Sequence, residues 1–189
     1  MPKEIEFKII GIDVKEAESR LRKLGARFVG RHNYRRVVFR LPPDGAKMKW
    51  LRIRTDGDRC TLTMKVYWGK GGITDVDEYE TDIDDFYGAA RIMSRLLKDP
   101  FYSESRRIEY RLGDTMITLD KWPRIPWLME IEGRNESGIK SVYRRLGIAG
   151  KPVGNVPITK VYPLYGMDYK TIADSGRKKL ERVLATEKR

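Results

Sequence analysis

Apolar and polar residues alternate with a period of two through much of this chain, and that spacing predicts strands. In Glu4-Ile5-Glu6-Phe7-Lys8-Ile9, successive side chains of an extended strand fall on opposite faces, so Glu4, Glu6 and Lys8 share one side and Ile5, Phe7 and Ile9 the other. Further strands are predicted over residues 34–41, 48–55, 59–68, 76–82, 105–112, 115–121 and 127–133, punctuated by Pro42-Pro43-Asp44-Gly45, Asp56-Gly57-Asp58 and Gly113-Asp114. Three segments change to helical spacing. Asp13 caps the first, with Val14, Ala17, Leu21 and Leu24 on its apolar face and Gly25 as its stop. Asp84 or Asp85 caps the second, with Ala89, Ile92, Met93, Leu96 and Leu97 expected to pack inward, and Asn135 or Ser137 opens the third. A proline-rich stretch to Pro163 and a helix from about Asp168 to a basic end complete the chain.

The charges on the polar strand faces are not mixed at random. Glu4 stands with Glu6, Arg52 with Arg54, Glu78 with Glu80 and Glu130 with Glu132, each pair two residues apart on one face. Arg36, Val38 and Arg40 share a face of their strand, as do Thr61, Thr63 and Lys65, Arg107 with Glu109 and Arg111, and Thr118 with Asp120. Like charges this close cost free energy unless opposite charges neutralise them. The amphipathic helices must bury their apolar stripes on the apolar faces of the strands. If helices cover the outside, the charged face is concave, and a sheet curling onto it forms a barrel with a polar lumen.

Such a lumen would hold two chemical sets. Lys8, Arg52, Arg54, Lys65 and Arg107 suit the nonbridging oxygens of phosphates. Glu4, Glu6, Asp120, Glu130 and Glu132 are hard oxygen donors suited to Mg²⁺ or Mn²⁺. Acid and base in one cavity point to a metal-bound polyphosphate.

Composition narrows the field. The 189 residues suit one domain, and 39 basic against 27 acidic residues, a net charge of +12, favour a polyanionic partner. One cysteine, Cys60, and one histidine, His32, exclude an internal disulfide, a cysteine-only metal cluster and a multi-histidine zinc site. No apolar run approaches the ~20 residues of a membrane span and no signal-peptide stretch is seen, so a cytoplasmic protein without a membrane partner is expected.

Together these residues resemble the CYTH domain, or triphosphate tunnel metalloenzyme, family, which includes class IV adenylyl cyclases and thiamine triphosphatases. The signature Glu-x-Glu-x-Lys stands at Glu4 to Lys8. It is followed by Leu-Arg-Ile-Arg at Leu51 to Arg54, Leu-Thr-Met-Lys at Leu62 to Lys65, Glu-Tyr-Glu at Glu78 to Glu80, Arg107 three before a tyrosine, Thr-Leu-Asp ending at Asp120, and Glu-Ile-Glu at Glu130 to Glu132. The resemblance implies an α+β fold with a closed antiparallel eight-stranded tunnel, helices outside, and dependence on Mg²⁺ or Mn²⁺. The match spans about residues 1–165, so a domain is expected over residues 1–167, with the basic helix over 168–189 flanking the tunnel or plugging one mouth of it. Carried over residue by residue, Lys8, Arg52, Arg54, Lys65 and Arg107 would bind triphosphate, and Glu4, Glu6, Asp120, Glu130 and Glu132 metal, with Glu4 and Glu6 catalytic. Glu78 and Glu80 match an acidic pair of accessory role. Lys160-Val161-Tyr162 is similar to a family Lys-Ser-Tyr and adds Lys160 to the phosphate ligands.

Three functions follow. The first is hydrolysis of a small-molecule triphosphate: inorganic, nucleoside or thiamine. The second is cyclisation of ATP to cyclic AMP and pyrophosphate in the same cavity. The third is a polyphosphate- or nucleotide-binding module without turnover, against which the retained carboxylates argue. Nucleic acid is not an expected partner, except as an RNA 5′-triphosphate end, and no pattern specifies an oligomeric state. Cys60 reads as a small filler, His32 as a surface residue, and Trp122 and Trp127 as rim or exterior packing.

Overall fold

The computed structural model describes residues 3–69 and 76–186, with the backbone alone for Lys3 and Glu4. The side chain of Glu4, the expected loop beyond Gly69 and the last three residues, 187–189, of the basic end lie outside the described residues. The strands are β1 (Lys3–Glu4), β2 (Glu6–Ile10), β3 (Arg27–Leu41), β4 (Met48–Thr55), β5 (Cys60–Tyr67), β6 (Val76–Asp82), β7 (Phe101–Leu112), β8 (Thr115–Lys121), β9 (Trp127–Glu132) and β10 (Lys151–Gly154). The helices are α1 (Val14–Lys23), α2 (Phe86–Leu96), α3 (Glu136–Leu146), α4 (Ile158–Val161) and α5 (Tyr169–Thr186), with a 3₁₀ turn at Tyr162–Tyr165.

Each long helix before residue 150 begins where a side chain can satisfy its free amides. Asp13 accepts from the Glu16 amide at 2.8 Å, Asp85 from Gly88 at 2.9 Å and Asn135 from Gly138 at 2.8 Å. Gly147, left-handed at φ +55°, ends α3.

All ten strands form one antiparallel sheet in the order β1-β6-β5-β4-β3-β7-β8-β9-β2-β10. The expected closed eight-stranded barrel is corrected by this order: the sheet is a curled, open one whose ladder ends at β1 and β10. The physical reason is how little pairing the seam carries. Only Ile5 separates β1 from β2, so this stretch pairs with β6 through Lys3 and Glu4 and with β9 from Glu6 onward. Two registered pairs join β1 to β6, whereas β4 and β5 share eight. The strand over 34–41 also extends back to Arg27, a fifteen-residue strand that bends at a bulge between Phe28 and Gly30 to pair with β7 along most of its length.

Helices cover the convex face. Phe7, Ile9, Ile108, Tyr110, Ile117, Leu119, Met129 and Ile131 meet Ala17 and Leu21 of α1 and Ile139, Val142 and Leu146 of α3. Val37, Phe39, Ile53 and Tyr102 meet Phe86 and Ala90 of α2 and Leu180 of α5. The inward face expected for α2 is corrected in part: Ile92 and Leu96 are 60% and 71% exposed, and Phe86 and Ala90 are buried instead. Leu180, Val183 and Leu184 of α5 occupy part of the strand surface that α2 would otherwise cover.

A third apolar cluster lies on the other face of the sheet. Ile10, Val38, Phe101 and Leu128 share strand parity with Lys8, Arg36, Arg107 and Glu130, and they pack with Trp122, Ile125, Val161, Tyr162 and Ile172. The segment from β10 to the start of α5 thus plugs one end of the concave face. Gly176 permits the close passage of α5 over β7, since a Cβ there would stand 2.3 Å from the Tyr102 carbonyl oxygen. No helix among the described residues is long and apolar enough to cross a membrane.

Tyr162 is fully buried in the plug, yet among the described residues its hydroxyl has no hydrogen-bond partner. Tyr162→Phe is therefore expected to leave stability unchanged or raise it, because a buried unsatisfied hydroxyl is lost. Tyr162→Ala should cost about 3–5 kcal/mol through the cavity it leaves. Urea denaturation of both variants checks the pair, and a large loss in Tyr162→Phe would contradict this description of the plug.

Candidate active site

Strand register converts the one-sided charges into rows. Arg54 and Arg52 of β4 stand opposite Thr61 and Thr63 of β5, which stand opposite Asp82 and Glu80 of β6; Lys65 stands opposite Glu78. On the far side, Arg107 of β7 faces Asp120 of β8, Thr118 faces Glu130 of β9, and Glu130 and Glu132 face Lys8 and Glu6 of β2. Reading across the sheet from β5 through β4, β3 and β7, the concave face presents Lys65, Arg52, Arg54, Arg36 and Arg107. From β8 through β9 to β2 it presents Asp120, Glu130, Glu132 and Glu6, with Lys8 beside them. A cationic arc therefore adjoins an acidic arc.

The arcs are cross-linked by ion pairs. Arg107 holds Asp120 with two parallel bonds, from Nε at 2.7 Å and Nη2 at 2.8 Å, and reaches Glu130 at 2.9 Å. Asp120, 1% exposed, also accepts from the Thr118 hydroxyl at 2.9 Å. Lys8 donates to Glu6 and lies 3.3 Å from Glu130. Arg52 contacts Glu78 at 3.2 Å and Glu80 at 3.3 Å, and Lys65 contacts Glu78 at 3.0 Å. Glu80 also accepts from the Thr63 hydroxyl at 2.8 Å and lies 3.8 Å from Arg54, so the accessory pair Glu78 and Glu80 neutralises cations of β4 and β5.

These contacts set the protonation states. Burial alone would push the Glu130 carboxyl up, but Lys8, Arg107 and Lys65 together hold it down at about 2. Burial likewise opposes the charge of Arg107, and Asp120 and Glu130 outweigh it and raise its pKa well above the usual guanidinium value.

Of the residues expected to act together, the structure gathers Glu6, Lys8, Arg52, Arg54, Lys65, Glu78, Glu80, Arg107, Asp120, Glu130 and Glu132 on the concave face. Lys160 is exposed on α4, while the neighbouring Val161 and Tyr162 enter the plug. Glu6 and Glu132 stand directly opposite one another, a juxtaposition of like charges that a cation relieves. Their carboxylate oxygens fit the chemistry of Mg²⁺ or Mn²⁺. Among the described residues, however, no three acidic, histidine or cysteine side chains converge on one point.

Several contributors escape the sequence pattern. Arg36 is 4% exposed, donates to the Ser105 hydroxyl at 2.6 Å and lies over the Trp122 ring at 4.1 Å. Tyr34 collects the guanidiniums of Arg54, Arg36 and Arg107 at 4.7, 5.6 and 6.0 Å from its ring centre. Trp122, expected at the rim or exterior, is buried among the plug residues, and His32, expected at the surface, is half-buried, with Nδ1 2.9 Å from Asp56 and its ring stacked on Tyr34. A signal was present in the shared parity of Tyr34 and Arg36. What the sequence lacks is the register that sets Arg36 opposite Arg54.

With this geometry in place, the chain can be compared with known proteins. The CYTH domain profile matches residues 2–138, and the chain belongs to the CYTH domain family. Among solved structures it is similar to the PH1012 protein of Pyrococcus horikoshii OT3, at 26% identity and TM-score 0.68, covering 77% of this chain and 91% of that one. It is also similar to HpAC1 of Hippeastrum, a proposed adenylyl cyclase described as having dominant triphosphatase activity, at 17% identity and TM-score 0.60, covering 82% and 93%. A proposed adenylate cyclase of Vibrio parahaemolyticus matches at 12% identity and TM-score 0.60, covering 81% and 95%. None of the curated proteins matches the chain.

The depressed pKa of Glu130 implies a stability term that is fully present above its unfolded value of 4.5 and is lost as pH falls through about 2. Glu130→Gln should remove that term and flatten the acid limb of a stability-against-pH curve between those values. Identical acid limbs for both proteins would show that Lys8 and Arg107 do not hold the carboxylate in this way.

Proposed function

We propose that the concave face binds a linear triphosphate with a divalent cation and hydrolyses it. The observation that carries this reading is the adjacency of the two arcs: Lys65, Arg52, Arg54 and Arg107 on β5, β4 and β7 beside Asp120, Glu130, Glu132 and Glu6 on β8, β9 and β2. A pure anion binder gains nothing from carboxylates in its site, and a pure metal site gains nothing from guanidiniums. Only a ligand carrying both signs, a metal-bound polyphosphate, matches both.

In this reading Arg52, Arg54 and Lys65 bind nonbridging oxygens, the arginines by their paired N–H groups. Arg107 and Lys8 stand at the border of the arcs, where they stabilise the charge that accumulates on a phosphoryl group in transfer. Glu6 and Glu132, with Glu130 and Glu4, would hold Mg²⁺ or Mn²⁺; when bound, the metal supplies Lewis-acid neutralisation of the phosphate oxygens. Glu78 and Glu80 keep Arg52, Arg54 and Lys65 oriented and are displaced in part as phosphate oxygens take their place. The plug of Trp122, Phe101 and Tyr162 excludes water from one end of the face. Structures of this fold include two proposed adenylyl cyclases, one of them described as having dominant triphosphatase activity, and the same arcs would serve attack at the α-phosphorus by a ribose hydroxyl.

Products decide between the two chemistries. Incubation with inorganic triphosphate, thiamine triphosphate or ATP and Mg²⁺ or Mn²⁺ should release orthophosphate, and chelation should abolish the release. Glu6→Gln should lower turnover by about a hundredfold or more, the scale of losing one preorganised electrostatic contact. Cyclic AMP with pyrophosphate from ATP would identify a cyclase, and unchanged turnover in Glu6→Gln would remove that residue from the site.

A further inference from the structure

The cations of the concave face divide by how they are neutralised. Lys8, Arg52, Lys65 and Arg107 each lie within 3.3 Å of at least one carboxylate. Arg36 does not: among the described residues it forms no ion pair, its Nε has no hydrogen-bond partner, and its contacts are the Ser105 hydroxyl and the Trp122 and Tyr34 rings. Directly across the β3/β4 register stands Arg54, whose carboxylate contact is Glu80 at 3.8 Å. Two guanidiniums facing one another, one of them buried, are destabilising unless an anion completes the arrangement. Burial, then the charges of Arg52, Arg54 and Arg107, pushes Arg36 down to about 9, against a smaller opposing pull from Asp120.

Position says which part of a ligand would reach it. Trp122, on which the Arg36 guanidinium rests, belongs to the apolar plug with Phe101, Leu128 and Tyr162. The plug closes the concave face on that side of Arg36, so the place suits the end of a chain.

We propose that Arg36 and Arg54 form a subsite for the terminal, unesterified phosphate of a linear polyphosphate, and that Arg36 makes the face prefer triphosphate over diphosphate. The proposal rests on the triphosphate reading and deepens it: Arg36 and Arg54 hold the last phosphate, next to Arg107 and Lys8, while Arg52 and Lys65 serve the phosphates before it, and any organic group lies at the end away from the plug. The alternative is that Arg36 is an anchor for the plug through its stacking on Trp122.

Thermal denaturation of the full chain with inorganic triphosphate and with inorganic diphosphate separates these roles, using R36M and R36K. In the wild type, triphosphate should raise the melting temperature more than diphosphate does at equal concentration. In R36M the apparent triphosphate affinity should fall about ten- to a hundredfold, the scale of losing a hydrogen bond to a charged group, and converge on that for diphosphate, which stays near its wild-type value. The ligand-free melting temperature of R36M should be unchanged or higher, because a buried charge without a counter-ion is replaced by an apolar chain of similar volume. R36K, which keeps the charge without the planar fork, should fall between. If R36M fails to fold or melts lower while R36K keeps the full preference for triphosphate, Arg36 is an anchor and the proposal is overturned. Equal losses of both ligands in R36M overturn it as well. A wild-type protein stabilised by neither polyanion and inactive toward both removes the triphosphate reading itself.

Discussion

The carboxylate of Glu130, gripped by Lys8 at 3.3 Å and Arg107 at 2.9 Å, shows the constraint on which this fold depends. Charges taken from water are costly unless paired and hydrogen-bonded, and a sheet that turns its charged side inward must pair most of them, chiefly across strands. The pairs available are those that register dictates. Arg107 meets Asp120 because β7 and β8 run antiparallel from the turn at Gly113, and Lys8 meets Glu130 because β2 lies beside β9. A one-residue slip in any ladder would turn these side chains to the helix-covered side and the aliphatic ones inward. The ion pairs thus specify register as much as they prepare a site, and the apolar convex clusters under α1, α2 and α3 enforce the same parity from outside.

The inner face is divided along its length as well. One end is closed by apolar residues that obey the same alternation as the charged ones: Ile10 two residues after Lys8, Val38 two after Arg36, Leu128 two before Glu130. Val161, Tyr162 and Ile172 complete that plug from a segment far along the chain. Placing ion pairs against an apolar floor strengthens them. Arg36, at the junction between floor and charge, is the point where pairing is left incomplete.

Much of this was legible from alternation. The helix starts at Asp13, at Asp84 or Asp85 and at Asn135 or Ser137, the hairpin at Asp56-Gly57-Asp58 and the charged faces of β2, β4, β5, β8 and β9 follow from local periodicity and turn chemistry, which act over a few residues; the structure selects Asp85 and Asn135 as the caps. Closure did not follow, because it turns on how far β1 pairs with β6, a contact between distant segments. Nor did the exposure of Ile92 and Leu96: their helical spacing matches that of buried positions, and only the arrival of α5 on the same strands withdraws the surface they would have covered. Arg36 was passed over since the apolar Val38 separates it from Arg40, so its face lacks the doubled charge that marked the other strands.

The sequence by itself determined which side chains share a face, because the period of a strand is a property of the backbone, and with it the chemistry of carboxylate beside guanidinium. Tertiary structure alone decided which faces meet: that the cations form one arc and the acids another, that Arg36 stands opposite Arg54, and that Tyr162 seals the floor beneath them. Those are matters of strand order and register, set by burial and charge pairing between segments far apart in the chain, and no local pattern carries them.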